Sequence, residues 1–226
     1  ETGADYLSTN LKFGLSGTSY IMSVILLLVL FNQFRLKHYV PVSYWVVVVL
    51  MSVTGTLITD RLVDEIKVSL VTIIIVLTIV LAVIFAAWYA NEKTLAMHSI
   101  NTPKRELFYW AAILVTFALG TATGDYLAEA LKLGYLQAAL VFGAAIGAIA
   151  IGHFYLRMNA VLAFWLAYIL TRPLGASIGD LLSQPTRNGG YGLGTVGTSI
   201  LFLSIITSLI IYLSLKQKRI RSLPTD

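Results

Sequence analysis

The sequence predicts an all-α fold: a polytopic transmembrane helix bundle with seven visible helices and the end of a truncated first helix, built as four two-helix pseudo-repeats in tandem duplication. Three observations predict it. Of 226 residues, 58% are hydrophobic and 12% charged, whereas soluble domains carry roughly 25% charged residues. The apolar residues gather into seven runs, about 17–34, 42–62, 69–90, 107–127, 135–156, 160–182 and 194–215. An acid-ending motif recurs along them.

Each run is long enough to cross a hydrocarbon core of ~30 Å at ~1.5 Å per residue. Lipid leaves no partner for an open backbone, so each must be a helix. That argument overrides the strand-like appearance of "YWVVVVLM" and "VTIIIVLTIV". The longest polar connection, about 91–106, contains Thr102, Pro103 and Glu106, which suggest a capped helix start. In the fifth run Gly143, Gly147 and Gly152 form a small-residue series that predicts close helix packing. The stretch "RNGGYGLG" (187–194) reads as a flexible loop that carries Tyr191.

The basic residues sort by loop. Arg35, Lys37, Lys93, Lys104, Arg105, Arg157, Lys216, Lys218, Arg219 and Arg221 fall on one side; Lys12, Arg61, Lys67, Lys132 and Arg187 fall on the other. The richer side is expected to be cytoplasmic. This predicts a multi-pass protein of the bacterial inner membrane with a basic cytoplasmic tail at 217–226. His38, His98 and His153 fall at the cytoplasmic ends and have no metal-binding spacing.

The repeat emerges when the chain is aligned on one acid. "GTLITD" ends at Asp60, "GTATGD" at Asp125 and "GASIGD" at Asp180. Gly55, Gly120 and Gly175 stand five residues before it, and Trp45, Trp110 and Trp165 fifteen before. An aromatic precedes each Trp: Tyr44, Tyr109 and Phe164. Four residues after the acid come Asp64, Glu129 and Gln184. The opening "ETGADYL" fits the same frame, with Asp5 as the acid, Glu1 four before it and Thr9 four after. The intervals 55, 65 and 55 between successive acids indicate a helix pair doubled twice. The pseudo-repeats run about 1–36, 37–92, 103–157 and 158–216 in one membrane domain. All copies share one orientation, so the expected relation is a rotation about the membrane normal.

The segments "ETGADYL", "GTLITDRL", "GTATGDYLAE", "AFWLAYILTRPLGASIGDLLSQP" and "GLGTVGTS" resemble a family of bacterial polytopic, membrane-anchored proteins made of a duplicated repeat of unknown function. The resemblance covers essentially the whole chain. It implies an inner-membrane protein of about eight helices and supplies no activity.

The motif itself suggests chemistry. Trp is expected near the cytoplasmic interface, and fifteen residues of helix advance ~22 Å, which sets each Asp at the opposite end. Ionised Asp in hydrocarbon costs about 2.5–3.5 kcal/mol, so the acids should turn inward. Asp5, Asp60, Asp125 and Asp180 are then expected around one axis, binding a cation or sharing protons. Asp64 and Glu129 would add an outer polar layer, and Glu1, Thr56 and Thr121 an inner one. Such oxygen ligands suit Mg²⁺, Ca²⁺ or Mn²⁺, with Asp60, Asp125 and Asp180 as metal ligands. Alternatively the acids cap the following helices and the glycines only pack.

Arg172 breaks the pattern: its equivalents are Ser52 and Phe117. An arginine in mid-membrane is normally paired or cavity-facing. It is expected either to bind an anion or to tune the charge of the acids, touching Asp60, Asp125 or Asp5. Pro173 should kink its helix.

Cysteine is absent, and no Ser-His-Asp order, HExxH or CxxC is present, so an enzyme is not expected. The net charge of +5 lies in short loops and does not suggest nucleic acid. No cofactor is called for. The expected partners are the lipid bilayer and a metal ion or protons, with self-association left open. The function expected is a small transporter or channel with an inward acidic cluster, moving a cation or a proton-coupled solute. The alternative is a non-transporting membrane scaffold or accessory subunit.

Overall fold

A computed structural model describes residues 14–36, 39–100 and 102–221, and the regular structure in them is entirely helical. The expectations on Glu1, Asp5 and Thr9, and on helical order at the first residue, lie outside the described residues. Seven helices among the described residues are long and apolar enough to cross a membrane. In chain order they are α1 (Gly14–Phe34), α2 (Pro41–Asp60), α3 (Leu70–Glu92), α4 (Pro103–Asp125), α5 (Tyr135–Leu156), α6 (Ala160–Ser183) and α7 (Gly194–Arg221).

Local sequence accounts for the helix ends. Proline opens α2 and α4, where a missing N–H costs nothing. Ser69, Thr102 and Asn159 accept hydrogen bonds from backbone N–H groups of the first turns of α3, α4 and α6. Glu106 does not complete a reciprocal box. It stands one residue too far along, and its carboxylate accepts instead from Gln33 Nε2 and Trp110 Nε1, both at 3.1 Å. Lys67, Lys93, Lys132 and Arg157 take the left-handed conformation at the helix ends. Their positive charge beside the terminal carbonyls offsets part of that strain.

The helices divide into an inner and an outer set. The motif-bearing helices α2, α4 and α6 are inner, with α4 packed against both α2 and α6. Each outer helix packs on the inner helix that follows it: α1 on α2, α3 on α4 and α5 on α6. The last helix, α7, rests lightly on α6 and α2. Only α4 is buried over most of its span.

Two expectations about the aromatics and small residues are corrected. Trp110 and Trp165 are not belt residues at a lipid interface. They are 1% and 4% exposed in the core, packed among the rings of Tyr44, Tyr109 and Trp88. Trp165 donates to the Leu95 carbonyl at 2.9 Å and meets Trp88 edge to face. Two members of the glycine series of α5 pack against nothing: a Cβ on Gly143 or Gly147 would meet nothing within 4 Å, whereas one on Gly152 would meet Met158 Cε at 3.0 Å. That outer helix uses its other face, with Ala138 and Phe142 buried.

The 187–194 loop is tied down rather than loose. Backbone N–H groups of Tyr191, Gly192 and Leu193 donate to the carbonyls of Leu181, Gln184 and Leu182. Gly190 lies so close to the Gln184 carbonyl that a side chain would collide with it. Tyr191 itself is exposed.

Candidate functional site

The motif glycines show how the repeats join. A Cβ on Gly55 of α2 would lie 2.6 Å from Phe117 Cβ of α4. A Cβ on Gly120 of α4 would collide with Cβ of Arg172 on α6. In both seams the glycine five before one Asp receives the residue eight before the next Asp. The position just before the Asp joins in. Thr59 donates to the Ala118 carbonyl at 2.9 Å, and a Cβ on Gly124 would meet Ala176 Cβ at 3.3 Å. At the third copy the same positions, Gly175 and Gly179, have nothing within 4 Å.

They open instead on a cavity of about 420 Å³. Its far wall is the Ser52, Val53 and Thr56 edge of α2, the edge that corresponds to Phe117, Ala118 and Thr121. Ser199 and Phe202 of α7 line the side. The cavity thus occupies an open seam whose two walls are the two halves of the closed ones.

Arg172 lines this cavity, at the middle of α6. Its guanidinium lies 3.8 Å from the Phe117 ring centroid and 4.3 Å from that of Tyr168. Its Nη2 donates to the Tyr168 hydroxyl. Its Nε is buried without a hydrogen-bond partner. Among the described residues it makes no ion pair, so the expected contact with Asp60 or Asp125 is absent. The reason is depth: eight residues separate it from Asp180, about 12 Å of helix. Helix α6 continues unbroken through Pro173. Beyond Tyr168 the phenols continue toward the Trp end, where Tyr44 and Tyr109 hydroxyls are 2.7 Å apart.

The acids lie at the other end. Asp60 and Asp125 are the last α-helical residues of α2 and α4, each followed by one π-helical turn, and both are half-buried. Asp180 is buried at 6% exposure. Its helix ends without a π turn because Pro185 holds Gln184 extended. All three Asp are engaged by partners. Asp60 and Asp125 do not serve as side-chain caps of the helices that follow them: Ser69 caps α3, and α5 starts after Gly134 without a side-chain cap.

Asp125, Asp180 and Glu129 share the surroundings of the Tyr135 hydroxyl, which donates to Glu129 Oε1 at 2.9 Å. Asp64 is exposed, beside the Arg61–Glu65 pair. Thr56 and Thr121 are buried, with hydroxyls 3.1 Å apart across the first seam. The expected metal centre of Asp60, Asp125 and Asp180 does not form: among the described residues no group of three His, Asp or Glu could hold a metal ion. The three acids end helices set side by side, with α4 between α2 and α6, so they spread along a row.

Four stretches of the chain, residues 1–39, 43–94, 108–159 and 163–219, match the model of a Repeat of Unknown Function (DUF347). The chain belongs to the DUF347 repeat family. Three of its four DUF347 copies each contain one complete Trp–Gly–Asp motif, and Asp5 falls in the copy at 1–39. No curated protein and no solved structure matches the chain.

Sequence reading missed Tyr168, Tyr135 and the pairing of Phe117 with Arg172. Tyr168 had a signal, since it stands four before Arg172 and so shares its helix face. Tyr135 had none: its role depends on how α5 leans on α6.

Proposed function

We propose that this DUF347 protein is a small secondary transporter, moving a solute through the open-seam cavity with protons coupled at the acid end. One observation carries the reading: a largely apolar cavity that holds one arginine and a few hydroxyls reaches the middle of a membrane-spanning bundle at the junction of three repeats. Transporters of repeated architecture bind their substrates at such midplane junctions. The grouping of Asp125, Asp180 and Glu129 near one tyrosine favours protons over a metal ion as the coupled species. The protein would act as a carrier rather than an enzyme. The excess of basic residues at the Trp end supports an inner-membrane orientation with that end, and the C-terminus, in the cytoplasm.

The test is flux. Protein in liposomes, screened with small anions and cations, should move protons with at least one solute, read by a dye inside the vesicles. Asp125→Asn and Asp180→Asn should abolish the coupled movement. Unaltered flux in both variants would remove these acids from the mechanism. A scaffold is the second reading, favoured because Gly55, Thr59 and Gly120 are consumed by packing. Folded protein that moves no solute would support it.

A further inference from the structure

We propose that Arg172 anchors a binding site for a small organic monoanion, a carboxylate with an apolar body, in the open-seam cavity. The proposal deepens the transporter reading by naming the substrate class.

A guanidinium at the centre of a membrane helix needs compensation. Here the aromatic faces of Phe117 and Tyr168 supply part of it, and the Tyr168 hydroxyl accepts from one nitrogen. Cation–π contacts strengthen when desolvated, but they leave the charge itself uncancelled. Buried Nε has no acceptor, and the described residues supply no carboxylate to the group. The guanidinium fork matches a carboxylate.

The cavity then sets the rest of the ligand. Its volume falls within the roughly 300–1,000 Å³ of small-molecule sites. Among the described residues one cation lines it, so a second negative charge would lie buried without a partner. Ser52, Thr56, Thr121 and Thr171 provide hydroxyls, while Val49 and Phe202 are typical of the apolar remainder. A bare halide would leave that apolar surface empty. An anion with a hydrocarbon body satisfies both parts.

The aromatic clamp also orients the site. The Phe117 and Tyr168 rings and the Tyr168 hydroxyl already occupy part of the guanidinium's surroundings, so a ligand reaches it from the cavity side. Gly175 and Gly179 let that ligand come against the α6 backbone, since no side chain stands in the way.

The experiment uses the full chain in lipid nanodiscs, with benzoate as probe and benzamide as its neutral twin, followed by calorimetry. Benzoate should bind, with benzamide weaker by roughly tenfold or more, as expected for loss of a charge-assisted hydrogen bond. Chloride should not compete. Arg172→Gln should weaken benzoate to the benzamide level. Ser52→Phe keeps the guanidinium but fills the cavity, and should also abolish binding, so the proposal does not depend on one variant folding. Equal affinity for benzoate and benzamide, no benzoate binding, or undiminished binding in a folded Arg172→Gln or Ser52→Phe protein would overturn it. Benzoate binding without uptake into liposomes would keep the site and refute the transporter reading. Proton-coupled flux of a cation with no anion binding would do the reverse.

Discussion

Two seams of this bundle are closed and one is open, although the same glycine stands at all three. Gly55 and Gly120 each receive a side chain of the neighbouring inner helix, whereas Gly175 faces a cavity. The repeated residue therefore has two uses. In a closed seam it permits close backbone approach; in the open seam it leaves room. A repeat copies residues, but a residue's role is set by what the next helix brings against it. Arg172 belongs to both: its Cβ closes the seam on Gly120, and its guanidinium lines the cavity of the open one.

The largest expected effect breaks or upholds that comparison directly. Gly120→Ala drives a methyl into Arg172 and the α6 backbone, and Gly55→Ala drives one into Phe117. Overpacking of this kind costs about 1–3 kcal/mol. Gly175→Ala meets nothing, and its effect should stay within about 0.5 kcal/mol. Thermal unfolding of the three variants in one detergent checks this. Equal losses at all three positions would mean that the third seam is closed in the folded protein.

A smaller effect is expected at the position before the acid. The Thr59 hydroxyl is fully buried and donates to the Ala118 carbonyl across the first seam. Thr59→Val keeps the shape and leaves that carbonyl short of a donor, at a cost of about 1 kcal/mol. Gly179→Ala at the equivalent open position should change stability less and benzoate affinity more, because the methyl enters the cavity. If the Thr59 variant were the milder of the two on unfolding, the seam would be held by something other than this bond.

The seven helices and the repeat were legible because length, hydropathy and spacing are local properties. A span of more than twenty apolar residues admits one backbone solution in lipid. The Trp–Gly–Asp spacing survives duplication and can be read by counting. The site was less legible. The ring expected for Asp60, Asp125 and Asp180 presumed equal neighbours, and α4 has inner helices on both sides while α2 and α6 do not. The sequence marked Arg172 as exceptional, since its equivalents are Ser52 and Phe117. It did not show that Phe117 is the partner, because that contact depends on the stagger of α4 against α6. The burial of Trp110 and Trp165 was not legible for a related reason: hydropathy does not distinguish an inner helix from an outer one when both are apolar all round.

The finest test concerns a pair that borders both regions. Thr56 and Thr121 join hydroxyls across the first closed seam, yet both also line the cavity. If they serve the seam, each single change to Val leaves one buried hydroxyl unmatched and costs about 0.5–1.5 kcal/mol. The double change removes both, so its loss should be smaller than the sum, with a coupling of at least about 0.5 kcal/mol. If they serve the cavity, unfolding should show no coupling, and benzoate affinity should fall with either change. Measuring unfolding and binding on the same four proteins assigns the pair. We expect the coupling, because the hydroxyls already satisfy one another and the guanidinium of Arg172 does not have that partner.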